Sequence, residues 1–179
     1  MQQSVMHEEI IQAKIDRLPV DNGRLQVWRS SSGQSALHAG QRFAAGEVLH
    51  GFSAKSQVEV PTRHSVQVSE HEHILLNPSF LQYINHGCDP NVLLDVVRRE
   101  FIALRPIATG EEILFFYPST EWLMTCPFKC HCQAQSCLNE IRGASFLPWP
   151  LPPGIRLSPH TRALLAHRIA SLVASAATS

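Results

Sequence analysis

The chain has 179 residues, 44% of them hydrophobic, which is enough for one core with appendages and too little for two ordinary domains. Fifteen basic residues balance fifteen acidic ones, so no net field draws the protein to nucleic acid or an anionic bilayer, and no direct nucleic-acid binding is expected. No stretch approaches the roughly 20 apolar residues of a membrane span, which excludes a helical membrane protein; Met1 to Arg17 lacks the apolar run of a signal peptide, so a soluble intracellular protein (cytoplasmic or nuclear) is expected, with export by a signal-less route left open.

Taken in chain order, Met6, Ile10, Ala13 and Leu18 fall near helical spacing and predict a short N-terminal helix, stopped by the turn Asp21-Asn22-Gly23. From Leu25 to Tyr117 the pattern becomes short apolar runs broken by Gly, Pro, Asn and Ser: Leu25 to Trp28, Gly46 to Phe52, His73 to Leu76, Val92 to Val97, Glu100 to Leu104 and Ile113 to Tyr117. Such runs predict a mainly β unit with tight connections. A cysteine-rich knot follows from Cys126 to Cys137, and Phe146 to Gly154 then carries four prolines, which predict a linker. Ser158-Pro159 is an N-cap with proline in the first turn, and Leu164, Leu165, Ile169, Leu172 and Val173 supply one apolar face of a C-terminal helix. The expected division is an N-terminal extension (1–24), a β domain (25–118), a cysteine-rich segment (119–145) and a proline-rich linker with its helix (146–179).

Three segments carry chemistry. Tyr83 to Val92 compresses an amide, an imidazole, a thiol and Asp-Pro-Asn into a few positions, although alone it reads equally well as an exposed turn. Ile107 to Tyr117 delivers an aromatic strand that ends in a phenol, and alone it reads as a core strand. Cys130, Cys132 and Cys137 can wrap one tetrahedral zinc but provide only three of its four ligands, so a fourth must come from elsewhere. The odd number of cysteines, most of them in this patch, favours metal over disulfides.

In this order the segments resemble the SET-domain lysine methyltransferases. Asn85-His86-Gly87-Cys88-Asp89-Pro90-Asn91 is similar to that family's Asn-His-Ser-Cys-x-Pro-Asn signature, and Gly110-Glu111-Glu112-Ile113-Leu114-Phe115-Phe116-Tyr117 to its Gly-Glu-Glu-Leu-Thr-Phe-Asp-Tyr signature. Cys130, Cys132 and Cys137 have the C-x-C-x4-C spacing of its post-SET zinc site, and Gly33-Gln34-Ser35, followed by Gly46-Glu47, is similar to its Gly-x-Gly bend and the turn after it. The resemblance spans about residues 26 to 143 and implies a β-clip-like fold of small curled sheets with a pseudoknot, flanked here by short N- and C-terminal helices.

It further implies transfer of methyl from S-adenosylmethionine to a lysine of a protein substrate, with histones as the family habit and nothing in the sequence to single them out. Gly33, Gln34, Ser35, Asn85 and His86 would contact the cofactor, and Tyr117 would be the catalytic phenol. Phe115, Tyr117 and Trp122 would line the substrate channel, with Phe128 a further wall candidate and phenylalanine at 115 leaving room for an already methylated amine. Cys88 would complete a zinc site with Cys130, Cys132 and Cys137, Cys126 being the local alternative for the fourth ligand. Three positions depart from the pattern: Ser35 replaces the second glycine of the bend, Gln82 stands at a frequent arginine, and Phe116 replaces an aspartate. A non-catalytic interaction module on the same fold is the second reading.

Overall fold

In the computed structural model, which describes residues 15–177, strands dominate. In chain order they are β1 (Ile15–Val20), β2 (Leu25–Ser30), β3 (Ser35–Ala39), β4 (Val48–Gly51), β5 (Ser53–Val58), β6 (Ser65–Gln67), β7 (His73–Asn77), β8 (Asn85–His86), β9 (Val92–Asp95), β10 (Glu100–Ala103), β11 (Leu114–Phe115), β12 (Phe128–Lys129) and β13 (Glu140–Ile141); helix α1 (Pro159–Ala177) follows. They form small sheets ordered β1-β2-β3, β4-β10-β9, β5-β7-β6, β11-β8 and β12-β13, none closed into a barrel.

Alternation explains the central strands. Leu25 and Val27 of β2, Leu37 and Ala39 of β3, Ile74 and Leu76 of β7, Val92 and Leu94 of β9, and Phe101 and Ala103 of β10 all point into one core, while their sequence neighbours face outward. Burying each of the larger side chains contributes about 1.5–3 kcal/mol, so this shared core, rather than any single sheet, holds the short strands in place.

The expected N-terminal helix is corrected over the residues described. Ile15 to Val20 is extended and pairs antiparallel with β2, in register from Ile15 opposite Ser30 to Val20 opposite Leu25. Pro19 accounts for this: a helix interior rejects proline, whereas β1 is an edge strand that tolerates a missing N–H. The part of that expectation on residues 6–14 lies outside the described residues.

Two distant segments meet at β8 and β11, which pair in parallel with Asn85 opposite Leu114 and His86 opposite Phe115. Asn91 stitches them together from beside this pair. Its Nδ2 donates to Glu112 O at 2.7 Å and Glu111 Oε1 at 3.0 Å, its Oδ1 accepts the Leu114 N–H at 2.8 Å, and it is only 1% exposed. With all three bonds made, an otherwise costly buried amide fixes the relative position of the two segments.

The C-terminal region is packed rather than free. Phe116 from the β domain, Ala144, Leu147 from the proline-rich stretch, Leu157 and Leu165 of α1 form a second buried cluster. The Ser158 hydroxyl accepts the Thr161 N–H, capping α1 as its sequence predicts. Only the first part of the apolar face is covered: Leu165 is buried and Ile169 packs on the cluster, whereas Leu172 and Val173 are exposed.

Candidate active site and cysteine cluster

The β8–β11 pairing sets Asn85, His86, Phe115 and Tyr117 around one cavity of about 470 Å³, whose wall also includes Gln82, Ile84, Glu121, Met124, Cys126 and Phe128. The aromatic rings interlock: Phe115 and Tyr117 lie 4.7 Å apart by ring centroid, and Phe128 sits 6.1 Å from Tyr117 and 5.8 Å from His86. The volume is in the range that holds a small organic ligand.

The Tyr117 hydroxyl donates to Ile84 O at 3.0 Å, so its oxygen lone pairs remain for an incoming donor. Burial pushes its acidity away from neutrality to a pKa of about 12; Arg63 pulls the other way, and Glu112 and Glu121 add to the rise. The group is a neutral phenol near pH 7, suited to orient and unsuited to act as a phenolate base.

His86 links this cavity to the cysteines. Its Nδ1 accepts the Tyr117 backbone N–H at 3.2 Å, which leaves the proton on Nε2, and Nε2 lies 3.2 Å from Cys88 Sγ. Burial lowers its pKa to about 4, keeping the ring neutral. Both ring nitrogens are thus engaged within the protein, so a ligand reaches this residue through its ring face or backbone. Asn85 donates from Nδ2 to Glu112 Oε1 at 2.8 Å and weakly to Ser35 O at 3.5 Å, tying β8 to the start of β3.

Gly33 turns at φ +84°, a conformation natural to glycine, and its N–H closes on Ser30 O at 2.9 Å. Ser35 has no such φ: it opens β3 opposite Arg29. Serine therefore meets no strain where the family has its second glycine. Gly33, Gln34 and Ser35 form a turn behind Asn85 and do not themselves line the cavity. Gln82 does line it. Phe116 points away, into the cluster with α1 and the proline-rich stretch, which accounts for an apolar residue where the family carries aspartate.

Trp122 departs from its expected channel position. It is absent from the cavity wall and packs on the Phe116 cluster, and its backbone N–H donates to Gln67 Oε1 at 2.8 Å. The residue before it, Glu121, takes the wall position, and nothing in the sequence pattern distinguishes it. Glu121 is 9% exposed; burial raises its pKa to about 7, against hydrogen bonds from the Gln67 N–H and the Thr120 hydroxyl that favour ionisation. A buried carboxyl at a cavity wall is the signal, and only the fold reveals it.

Cys88, Cys130, Cys132 and Cys137 converge, with all four sulfurs within 4.8 Å of one another, while Cys126 is exposed and outside the group. Tetrahedral zinc with bonds of about 2.3 Å places its sulfurs ~3.8 Å apart; Cys88 and Cys130 already lie at 3.9 Å. Burial raises the Cys88 thiol well above the ordinary range and Cys130 to about 11; Cys132, despite the same tendency, falls to about 7 because the Ala134 and Cys88 backbones hydrogen-bond to it. The donor set, spacing and partial burial fit a structural metal site.

The sequence is similar to those of known proteins. The SET domain family model matches residues 15–118. Methyltransferase flvH of Aspergillus flavus is 41% identical over 90 residues, covering 49% of this chain and 51% of that protein. Histone-lysine N-methyltransferase Set2 of Drosophila melanogaster is 35% identical over 68 residues, covering 35% of this chain and 3% of its own. The matched segment thus spans about half of the fungal relative and a small fraction of the insect one. Among solved structures, the methyltransferase domain of human histone-lysine N-methyltransferase SETMAR is similar over 63% of this chain and 55% of its own, with a TM-score of 0.45 and 15% identity.

Proposed function

The chain belongs to the SET-domain family, and from that premise we propose that it transfers a methyl group from S-adenosylmethionine to the ε-amine of a lysine on a protein substrate. The observation that carries this reading is the convergence of Tyr117, Asn85, His86 and Phe115 on one cavity. The polar wall of Gln82 and Asn85 beside aromatic surface fits a donor with a polar end and an apolar body. When bound, that donor supplies an electrophilic methyl on a sulfonium.

The chain's own residues then have positional tasks. Phe115, Phe128 and Ile84 strip water from the alkyl stem of the amine, and desolvation favours its neutral form. Tyr117, anchored on Ile84 O, presents oxygen lone pairs to the amine N–H and to the methyl C–H groups, aligning them for in-line displacement. Phenylalanine rather than a second phenol at 115 leaves space for an amine already carrying methyl groups, so products beyond monomethyl-lysine are expected. Zinc held by Cys88, Cys130, Cys132 and Cys137 would fold the segment that carries Phe128 onto the cavity.

The test is incubation of the protein with labelled S-adenosylmethionine and a mixed protein extract, followed by mapping of the labelled site. Label on lysine that falls on the order of 100-fold in Tyr117→Phe is the expected result. No cofactor binding by calorimetry would replace this reading with a non-catalytic interaction module.

A further inference from the structure

An alkyl ammonium has no lone pair, so any transfer to it must first dispose of a proton, and the groups assigned so far cannot take one. Tyr117 is a neutral phenol, His86 has both ring nitrogens engaged, and the Arg63 guanidinium on the cavity wall is permanently charged. Two histidines and one carboxylate remain nearby. His64 is exposed on the cavity wall, whereas Glu121 is buried and is the only carboxylate lining the cavity among the described residues.

Glu121 Oε1 accepts the Gln67 N–H at 2.8 Å and the Thr120 hydroxyl at 3.3 Å, which fixes the carboxylate. Oε2 instead faces His73 Nδ1 at 3.9 Å, too far for a hydrogen bond, and that buried nitrogen has no hydrogen-bond partner. A buried carboxylate and the buried nitrogen of a half-buried ring thus confront each other with unfilled capacity across a gap that a small shift closes. His73 retains 16% side-chain exposure, so its ring also reaches solvent.

Taking the methyl-transfer reading as given, we propose that Glu121 draws the substrate in as an alkyl ammonium and that Glu121 and His73 carry its proton out of the cavity. The substrate class is then a protonated amine on an apolar stem. The N–H bond breaks and its electron pair stays on nitrogen to form a bond to the methyl carbon, whose bond to the sulfonium sulfur breaks with its electron pair passing to sulfur; an O–H bond forms at Glu121 Oε2; the proton passes to His73 Nδ1 and leaves from the imidazole to water.

Burial raises Glu121 to about 7, so near neutrality it can take up a proton and release it again, and burial followed by the charge of His160 lowers His73, so the imidazole hands a proton on to water rather than holding it. The other charged or titratable groups around them are His160 on α1, which acts on His73; Glu70 in the β6–β7 turn, which acts on His160; and Tyr117, Arg63 and Glu112 toward the cavity.

Two arms test this. In the first, which needs no turnover, carbon-13 NMR of glutamate-labelled protein follows the Glu121 carboxyl, assigned by its loss in Glu121→Gln. The resonance should titrate near neutrality and respond to n-butylammonium but not to n-butanol; no response to n-butylammonium overturns the proposal whatever the transferase assay shows. In the second, methyl transfer is measured against pH. Glu121→Gln should lower kcat on the order of 100-fold at pH 7 and recover as rising pH neutralises the amine, with S-adenosylmethionine binding unchanged. His73→Phe should move the same acid limb. A uniform loss with the pH profile intact shows a structural role only, and a limb that moves instead with His64→Ala assigns the proton to His64; either overturns the proposal. Wild-type protein that transfers no methyl refutes the proposed activity, while the NMR arm still decides the fate of Glu121.

Discussion

Replacing Glu121 by glutamine should make the protein progressively more stable than wild type as pH rises through neutrality. In the native state burial holds this carboxyl at about 7, against an ordinary value of 4.5 once the chain unfolds. Below the ordinary value both states carry the proton and the buried carboxyl is no liability. Between the two values the native state keeps a proton that the unfolded chain has released, so stability declines as pH climbs, by about 3 kcal/mol once both states are ionised. Glutamine has nothing to ionise, and its amide oxygen can still accept the Gln67 N–H, so the difference between the two proteins isolates this group. Guanidinium unfolding of both proteins from pH 4 to 8 should show that difference growing by about 3 kcal/mol in favour of glutamine. A difference constant to within about 0.5 kcal/mol would refute the picture of an ionisable carboxyl held out of water.

Other consequences are as direct. Asn91→Ala removes three hydrogen bonds and orphans the Leu114 N–H and Glu112 O, so it should cost about 2–4 kcal/mol in denaturant unfolding and abolish any cofactor binding measured by calorimetry. Cys88→Ser should abolish zinc binding, measured by mercurial release with a metal indicator, and expose residues 126–141 to hydrogen exchange, whereas Cys126→Ser should leave both unchanged. Thr161→Val deletes the hydroxyl that donates to Ser119 O at 2.7 Å and should cost about 1–2 kcal/mol of stability, with methyl transfer losing kcat rather than KM.

Legibility in the sequence followed the strength of the local signal. Strands with alternating apolar residues, such as β2, β7 and β9, are visible as runs, and Ser158-Pro159 announces α1 with its cap. β5 is not visible: Ser53-Ala54-Lys55-Ser56-Gln57-Val58 is a polar, exposed edge strand held by β7 rather than by any preference of its own. β1 misleads because its apolar residues also satisfy a helical spacing, and Pro19 was the contrary sign. At the site, the ordered motifs anticipate the convergence of Tyr117, Asn85 and His86, and the arithmetic of three clustered thiols calls for a fourth, which Cys88 supplies in preference to Cys126. Glu121 and His73 are illegible because a carboxylate and an imidazole from remote segments carry no pattern until the sheets are folded together, and nothing in the sequence around Trp122 tells that its ring packs on the Phe116 cluster while Glu121 beside it lines the cavity.

The alternation of Phe116 and Tyr117 has a wider reach. One peptide bond separates a side chain in the cavity from one gripped by the proline-rich stretch and α1, and the carbonyls just beyond, on Ser119 and Thr120, are held by Ser158, Thr161 and His160. Sequence drift in that appendix, which lies past the family-matched span, therefore bears directly on the phenol. Related chains with divergent tails should tune one shared chemistry differently, and grafting tails between them becomes a way to adjust turnover without touching the cavity.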